Sequence, residues 1–332
     1  MRAARSVPTN IWSNKVLCED ERCVAVHWDV GFKHDCTNYP NHCNYLSGYL
    51  GRESSLGVLL TDKFSLPTTN DRLNFALGCG YDQEGGLDKR PVDGVLGIGK
   101  GRRDFVSQLK LQGMIDENVL GHCLGIHGGG FLFFWRDRDR IPSAGVTWFP
   151  MVKEYRNYYS PGRSTLNLEV QQKYPISVTP MDAVFDSGST YSYVPKDAYA
   201  RLLWAVDITL QGSSLWEVTD SALPKCWGRN EPIQSIDDVK NEFKPLEWSF
   251  AHGNNQATVE ISPEKYIVVT RGNVCLGILN GSANGIHDFN IIGDIMMQNH
   301  VVIYDNEGAQ IGWVRALCDE LPGPQPLIGS RL

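Results

Sequence analysis

Several features that mark other classes of protein are missing from this 332-residue chain. No apolar run approaches the length of about 20 residues that a membrane-spanning helix requires. The basic residues at the N-terminus are followed by no apolar segment, so we expect no signal peptide in the chain. Basic residues are scattered and the formal net charge is -7, which argues against a nucleic-acid-binding surface. We therefore expect neither a membrane nor a nucleic acid as a partner.

Signatures of several enzyme classes are missing as well. His127-Gly128-Gly129-Gly130 is similar to the oxyanion loop of lipases, but the Gly-x-Ser-x-Gly nucleophile turn does not occur, which excludes a serine hydrolase. The glycine-rich residues 97–101 fit neither a P-loop nor a dinucleotide-binding fingerprint. The eight histidines show no metal-binding spacing. We expect no cofactor and no metal.

The composition that remains is typical of a globular protein made mostly of short strands. Apolar residues account for 42% and charged residues for 21%, and the length allows two domains. Turn residues are abundant, with 33 Gly and 17 Pro. Strands are predicted at residues 55–64, 74–78, 130–134, 183–185, 191–194, 265–270, 274–279 and 301–304. Helices are predicted at residues 105–112, 197–206 and 237–243. This pattern indicates a mostly β fold and excludes a parallel βαβ sheet.

Nine cysteines bear on the redox state of the protein. Cys18, Cys23, Cys36 and Cys43 crowd near the start of the chain, but their intervals lack the tight pairs of a structural zinc site. We therefore favour disulfides over zinc, which implies an oxidising compartment. Because the count is odd, at least one thiol is unpaired or has its partner outside the chain.

One motif carries recognisable chemistry: Asp-Ser-Gly-Ser-Thr at residues 186–190. Apolar segments predicted as strands flank it, so the Asp stands on a tight turn at the edge of a sheet. Gly188 allows the turn and directs its N–H toward the carboxylate, while the hydroxyls of Ser187 and Ser189 can hold the carboxylate oxygens. The concentration of small hydroxyl residues favours a functional site over an ordinary Asp-Ser-Gly turn.

A weak internal repeat accompanies the motif. Two large aliphatic residues followed by Gly occur at Val95-Leu96-Gly97 and again at Ile291-Ile292-Gly293, each beside an acidic residue. Such a triplet is common in proteins, and its meaning depends on the Asp motif that precedes the second copy.

Several segments together resemble the pepsin-like aspartic endopeptidases and, within them, the plant nucellin-like proteins. The similar segments are residues 54–62, 78–83, 93–99, 121–124, 128–134, 185–190, 275–281 and 303–306. The resemblance runs from about Asn14 to Cys318. It implies a bilobal fold in which residues 1–150 form the N-terminal lobe and residues 151–332 the C-terminal lobe.

The resemblance also implies a mechanism. Each lobe of such an enzyme supplies one catalytic Asp on a loop crossed by a hydrophobic-hydrophobic-Gly strand, and the two carboxylates share a proton. The ionised carboxylate takes a proton from a water that attacks the peptide bond, and the protonated one assists the carbonyl oxygen. Polypeptide substrates, a monomeric state and a secretory location, extracellular or vacuolar, are implied with it.

Individual residues take roles by the same resemblance. Asp186 is the C-lobe catalytic carboxylate, and Ser189 hydrogen-bonds its outer oxygen. Ser187 braces the loop against its counterpart in the other lobe, with Gly188 and Thr190 completing the loop. Tyr49 corresponds to the tyrosine of a flap hairpin, although Leu-Gly-Arg-Glu at residues 50–53 replaces the usual flap tip. Because Cys226 and Cys275 are the only cysteines between the Asp186 loop and the Ile291 strand, we expect a disulfide between them.

The first catalytic motif of that family is missing from the N-terminal half. The nearest candidate, Asp29-Val30-Gly31, has no hydroxyl residue and no apolar strand ahead of it, and is predicted to be a loop. Asp186 precedes Ile291 by 105 residues, and the same spacing before Val95 falls ahead of Met1. We therefore expect an incomplete N-terminal lobe whose missing segment pairs with some of the early cysteines. The chain as written is expected to be an inactive member of the endopeptidase family; the alternative is a non-proteolytic inhibitor or binding protein on the same scaffold.

Overall fold

The computed structural model describes residues 14–49, 53–65, 72–85, 94–134, 145–155, 157–169, 173–177, 179–253 and 255–319. Within these ranges most regular structure is strand, which confirms the predicted mostly β class. Two compact units contain the described residues: the first holds residues 14–118 and Phe134, and the second holds residues 119–133 and 145–319. The lobe boundary expected at residue 150 stays a prediction. Over the described ranges, no helix has the length and apolar character needed to cross a membrane.

The described residues of the first unit form one antiparallel sheet and two helices. Its elements are α1 (Glu21–Asp29), β1 (Asn44–Tyr49), β2 (Glu53–Ser65), β3 (Arg72–Glu84) and α2 (Phe105–Leu111). The sheet has the order β1-β2-β3. Helix α2 begins where the Asp104 carboxylate accepts the N–H groups of Val106 and Ser107. It ends before Gly113, whose φ of 69° is the left-handed conformation predicted for this helix end.

The remaining elements are mainly short strands. The strands are β4 (Val119–Leu124), β5 (Gly130–Phe134), β6 (Thr147–Pro150), β7 (Tyr159–Glu169), β8 (Lys173–Pro175), β9 (Met181–Phe185), β10 (Ser192–Val194), β11 (Trp216–Val218), β12 (Cys226–Gly228), β13 (Leu246–His252), β14 (Asn255–Ile261), β15 (Ile267–Thr270), β16 (Asn273–Leu276), β17 (Ile278–Asn280), β18 (Phe289–Ile292), β19 (His300–Asp305) and β20 (Gln310–Arg315). The two helices are α3 (Lys196–Thr209) and α4 (Asp294–Met297).

These strands form three sheets. The largest has the order β14-β13-β7-β9-β18-β10-β17, with β8 paired to β7. A four-stranded sheet has the order β11-β12-β16-β15, and a five-stranded sheet the order β5-β4-β19-β20-β6. Two aromatic side chains of strand β13, Trp248 and Phe250, are fully buried, and the Phe250 ring lies 4.8 Å from that of Phe149. The apolar interior fixes the position of β9, which leads into the Asp motif, and of β18, which holds Ile291 and Ile292 of the second triplet.

Three sequence predictions of local structure are wrong in detail. The strand expected at residues 274–279 is two strands, β16 and β17, which belong to different sheets. The helix expected at residues 237–243 is a pair of 3₁₀ turns, Ile236–Asp238 and Lys240–Glu242. The carboxylate of Asp238 accepts the backbone N–H groups of Gln234 and Ser235, which closes a tight turn instead of continuing a helix. The strand expected at residues 265–270 begins only at Ile267, after another 3₁₀ turn.

The cysteine pairing differs from the expectation for the N-terminal cluster. Cys18 pairs with Cys36 and Cys23 pairs with Cys43, so these four sulfurs bond to one another and need no partner outside the chain. Cys123 pairs with Cys318, and the unpaired cysteine is Cys79. The odd count therefore reflects one free thiol on β3. The zinc alternative for the early cysteines does not apply to this oxidised form.

Candidate active site

Asp186 is the first residue after strand β9. That strand runs parallel to β18, with Phe185 opposite Ile292, and the N–H of Asp186 donates to the carbonyl of Ile292 over 3.0 Å. The strand pairing therefore extends up to the Asp and stops there. As a result the half-buried carboxylate begins a loop at the end of two strands whose apolar side chains are inside the protein.

The loop wraps around the carboxylate. The N–H of Gly188 donates to Oδ1 of Asp186 over 3.0 Å, and the hydroxyl of Ser189 donates to Oδ2 over 2.7 Å. The N–H of Ser189 also donates to the backbone carbonyl of Asp186 over 3.2 Å, which closes the turn. Each carboxylate oxygen thus has one hydrogen-bond donor from the loop, an arrangement that fixes the orientation of the carboxylate.

Ser187 and Thr190 are the other two side chains of the motif that carry a hydroxyl group. Ser187 is half-buried and Thr190 is exposed. The carbonyl of Thr190 accepts the N–H of Ile295 over 3.2 Å, which ties the end of the loop to helix α4. The bracing role expected for Ser187 against another lobe stays a prediction.

The second aliphatic-Gly triplet crosses directly beneath the loop. Ile291 and Ile292 are buried, and a Cβ on Gly293 would lie 2.2 Å from the carbonyl oxygen of Tyr191. Only glycine fits at such a distance between two backbones. The N–H of Gly293 donates to the hydroxyl of Ser192 over 3.0 Å, so the crossing strand and the loop are held together.

The first triplet behaves differently from its copy. Val95, Leu96 and Gly97 lie outside any strand, and the side chains of Val95 and Leu96 are 63% and 50% exposed. The prediction of a loop-crossing strand here is therefore wrong for the described structure. A strand needs a neighbouring strand to accept its backbone groups, and no described strand pairs with these residues, whereas Ile291 pairs with both β9 and β10.

Tyr49 is the last residue of β1, where it pairs with Glu53 of β2 and is 38% exposed. This places it on an antiparallel hairpin, as the flap prediction requires. Residues 50–52, the expected tip, lie outside the described residues. The flap role of Tyr49 accordingly stays a prediction.

The N-terminal candidate Asp29 is the last residue of helix α1, not part of a loop as predicted. Its carboxylate accepts the backbone N–H of Arg102 over 2.8 Å. Gly31, with a φ of 74°, follows the helix end. Asp29 therefore occupies a helix terminus that anchors a neighbouring turn, which is unlike the strand-turn setting of Asp186.

The charge of Asp186 contributes to the raised pKa of three tyrosines, in each case after burial as the larger cause: Tyr158, Tyr193 and Tyr304. The pKa of Tyr193 is raised, mainly by burial and partly by the charges of Tyr191 and Asp186. The pKa of Tyr304 is raised far above its usual value by burial, with smaller contributions from Tyr159 and Asp186. His122, buried on β4, lies with its Nε2 3.3 Å from the hydroxyl of Tyr304. The contact between His122 and Tyr304 arises because β4 pairs with β19, two strands far apart in sequence, and a local motif cannot reveal it.

The disulfide expected between Cys226 and Cys275 is present, with a sulfur–sulfur distance of 2.08 Å. The two residues face each other on the paired strands β12 and β16 and are almost fully buried. This bond lies in the small four-stranded sheet of the second unit.

Known proteins match both halves of the chain. Residues 8–134 match the family described as xylanase inhibitor N-terminal, and residues 168–315 match the family described as xylanase inhibitor C-terminal. The chain is 43% identical over 330 residues to an aspartic proteinase of rice, Oryza sativa subsp. japonica, covering 96% of this chain and 78% of the relative. Aspartic proteinase 36 of Arabidopsis thaliana is 24% identical, with coverage of 93% and 63%.

Solved structures share the fold at low sequence identity. Conglutin gamma, a basic 7S globulin from lupine seeds, has a TM-score of 0.68 at 14% identity and covers 94% of this chain and 84% of its own. The aspartic proteinase from Irpex lacteus has a TM-score of 0.60 at 16% identity, with coverage of 83% and 82%. The fold comparison, the Asp186 loop and the rice relative lead to one assignment. This chain belongs to the family of pepsin-like aspartic proteinases.

Proposed function

We propose that Asp186 is the second catalytic carboxylate of an aspartic endopeptidase and that the chain as printed does not cleave peptides on its own. The observation that carries the proposal is the loop geometry: both carboxylate oxygens of Asp186 accept a hydrogen bond from the loop, and Gly293 crosses beneath it. The printed sequence contains a single Asp-Ser-Gly, which begins at Asp186, and no Asp-Thr-Gly.

A single carboxylate accounts for half of the required chemistry. The ionised carboxylate of Asp186 can accept a proton from a water molecule as the water attacks a peptide carbonyl. Hydrolysis also needs an acid that donates toward the carbonyl oxygen, and in carboxylate pairs this acid is the protonated partner. Gly188 and Ser189 donate only to Asp186 itself, so they stabilise the base without supplying the acid.

The family of the protein and its disulfides indicate where it is located. Four disulfides and aspartic proteinase relatives from plants support a secretory route. We propose an extracellular or vacuolar location, a monomeric state and polypeptide substrates for the form that has both carboxylates. The nucellin-like subtype belongs to the same proposal.

A binding protein on the same scaffold is the competing function. Xylanase inhibitor families match the chain, and seed 7S globulins share its fold. The globulins are 13% and 14% identical to this chain, which supports the fold alone. The 43% identity to a protein named as a proteinase covers nearly the whole chain, and for this reason we favour the endopeptidase assignment.

The proposal is tested by assaying the complete 332-residue chain against a denatured protein substrate across acidic pH. We expect no cleavage above the background of the Asp186→Ala variant. Cleavage that pepstatin inhibits and that Asp186→Ala abolishes would show that the chain already holds a working pair of carboxylates. The proposal of a single functional carboxylate would then be wrong.

A further inference from the structure

Two disulfides and two histidines form a compact cluster in the first unit. Cys18–Cys36 and Cys23–Cys43 pack with Val16 and Leu59 in one apolar cluster. His34 lies with its Nε2 3.3 Å from Sγ of Cys36, and His27 lies with its Nε2 3.8 Å from Sγ of Cys23. Thiolates and imidazoles are the ligands that Zn²⁺ prefers, so the cluster holds a latent metal-binding set.

The hydrogen bonds of the two histidines fix which ring nitrogen is available. Nε2 of His27 lies 2.8 Å from the carbonyl of Asn44, which can only accept, so this nitrogen carries the hydrogen. In the neutral ring Nδ1 of His27 is then an acceptor, and it lies 3.1 Å from Nδ1 of His34, which must donate. The remaining nitrogen, Nε2 of His34, keeps its lone pair and faces Sγ of Cys36.

A disulfide sulfur has no hydrogen to donate to that lone pair. Metal-binding histidines have the same arrangement: the ring nitrogen that does not bind the metal donates its hydrogen to a fixed acceptor, which sets the tautomer. His27 and Asn44 supply that fixed acceptor chain here. His34 is therefore oriented as a ligand, and His27, whose Nε2–H is committed to Asn44, is a positioning residue.

The two disulfides differ in how they can be reached. Cys36 is partly exposed, whereas Cys18, Cys23 and Cys43 have exposures of 2%, 0% and 0%. Thiol–disulfide exchange requires an attacking thiolate to reach one of the sulfurs. The Cys18–Cys36 bond is therefore open to attack at Cys36, and the Cys23–Cys43 bond is protected by burial.

A fourth ligand lies beside the accessible disulfide. Ligand atoms of Glu19, His34 and Cys36 all lie within 4.8 Å of one another, and those of Cys18 and His34 lie within the same distance. Bonds of about 2.0–2.3 Å to a tetrahedral Zn²⁺ place ligand atoms roughly 3–4 Å apart, so small side-chain movements suffice. Glu19 is exposed and its side chain can adjust.

We propose that reduction of the Cys18–Cys36 disulfide opens a Zn²⁺ site formed by the sulfurs of Cys18 and Cys36, Nε2 of His34 and the carboxylate of Glu19. The reductant is a dithiol, whose thiolate attacks Sγ of Cys36 and releases the thiolate of Cys18. The second thiol of the reductant then displaces Cys36 and leaves as a disulfide, so two electrons and two protons pass to the protein. Zn²⁺ displaces the two thiol protons when it binds.

The site acts as a replacement cross-link. In the oxidised form a covalent bond holds residue 18 to residue 36 across helix α1. In the reduced form the metal holds the same two sulfurs and adds Glu19 and His34. Soft thiolate ligands with an imidazole select Zn²⁺ over Mg²⁺ or Ca²⁺.

The test uses the complete chain, before and after mild treatment with a dithiol, with Co²⁺ and Zn²⁺ as probes. We expect about one metal ion per chain after reduction and none before, with the visible bands of tetrahedral Co²⁺ and thiolate charge transfer in the near ultraviolet. His34→Gln should weaken binding about tenfold or more, and His27→Gln should weaken it by a smaller factor through loss of orientation. His42→Gln is the matched control, because that ring packs against Tyr39 and should leave the affinity unchanged.

Further comparisons distinguish binding at the folded site from binding by an unfolded chain. A reduced, unfolded chain would bind metal through any of its thiols, so His34→Gln and His42→Gln would then have equal affinities. The Cys18→Ser and Cys36→Ser double variant should bind no metal, whereas the Cys23→Ala and Cys43→Ala double variant should retain the site. Equal affinities for the two histidine variants, or no metal bound by the reduced chain, would overturn the proposal.

Discussion

The backbone of Gly293 passes so close to Tyr191 that a Cβ at position 293 would lie 2.2 Å from the Tyr191 carbonyl oxygen and 2.9 Å from that of Ser189. Both oxygens belong to the backbone of the segment that follows Asp186. The N–H of Asp294, the next residue, donates to the Ser189 carbonyl over 2.7 Å. The crossing strand and the Asp186 loop are thus held together by close backbone packing and a hydrogen bond, and the shape of the loop depends on a glycine that does not belong to it.

Replacing this glycine should loosen the loop. We expect Gly293→Ala to lower the free energy of unfolding by about 1–3 kcal/mol, because the backbone has to move to accept the methyl group. Denaturant unfolding measures the effect. Gly97→Ala is the matched control from the other triplet, since a Cβ there meets nothing within 4 Å, and it should change stability by less than about 0.5 kcal/mol. Equal losses for the two variants would contradict the described packing.

Acid should destabilise the second unit through His122. Burial lowers the pKa of His122 from 6.5 to about 4, so between these pH values the unfolded chain binds more protons than the folded one. Stability should therefore fall as the pH is lowered from 6.5 to about 4, by about 3 kcal/mol, with little further loss from this residue below that range.

The His122→Gln variant tests this expectation, because it can still hydrogen-bond to Tyr304 but does not titrate. Its unfolding free energy should depend less on pH between about 4 and 6.5 than that of the parent chain. Tyr304→Phe is the control, since it removes the hydroxyl partner and leaves the imidazole in place. If the pH dependence of His122→Gln matches that of the parent, the buried histidine is not the cause.

The parts of the candidate site that are formed by residues close together in the chain are predictable from the sequence. Asp186, Gly188 and Ser189 are neighbours in the chain, and their hydrogen bonds follow from residue types within one turn. The predicted strands on either side correspond to β9 and β10. Because the loop between the two apolar strands is short, few other positions and hydrogen-bond partners are open to the Asp186 carboxylate.

Features that depend on distant partners are not predictable in the same way. Val95-Leu96-Gly97 has the composition of a crossing strand, but a strand forms only where another strand pairs with it. His122 and Tyr304 are 182 residues apart and meet because β4 pairs with β19. Helix α1 gives little sequence signal because only Cys23 and Ala25 are buried along it, so its apolar periodicity is weak.

The Cys226–Cys275 disulfide should contribute strongly to the stability of the second unit. It closes a separation of 49 residues, for which the chain-entropy account gives about 4 kcal/mol. We expect the Cys226→Ala and Cys275→Ala double variant to lose stability of this order in denaturant unfolding. Cys79→Ala, which removes the unpaired thiol, should change stability by less than about 1 kcal/mol. A loss of less than about 1 kcal/mol for the double variant would contradict the assignment.

The central claim, that Asp186 is the second carboxylate of a catalytic pair, is tested most directly by supplying the first. In a chimaera, the residues of the first unit are replaced by the Asp-bearing N-terminal lobe of an active plant aspartic proteinase, and acid proteolysis is measured with and without pepstatin. Asp186→Asn in the same chimaera is the matched control, because it keeps the size of the side chain and removes the carboxylate. The account predicts pepstatin-sensitive cleavage that Asp186→Asn reduces by a factor of at least about 10³. Equal cleavage by a folded chimaera and its Asp186→Asn variant would contradict it.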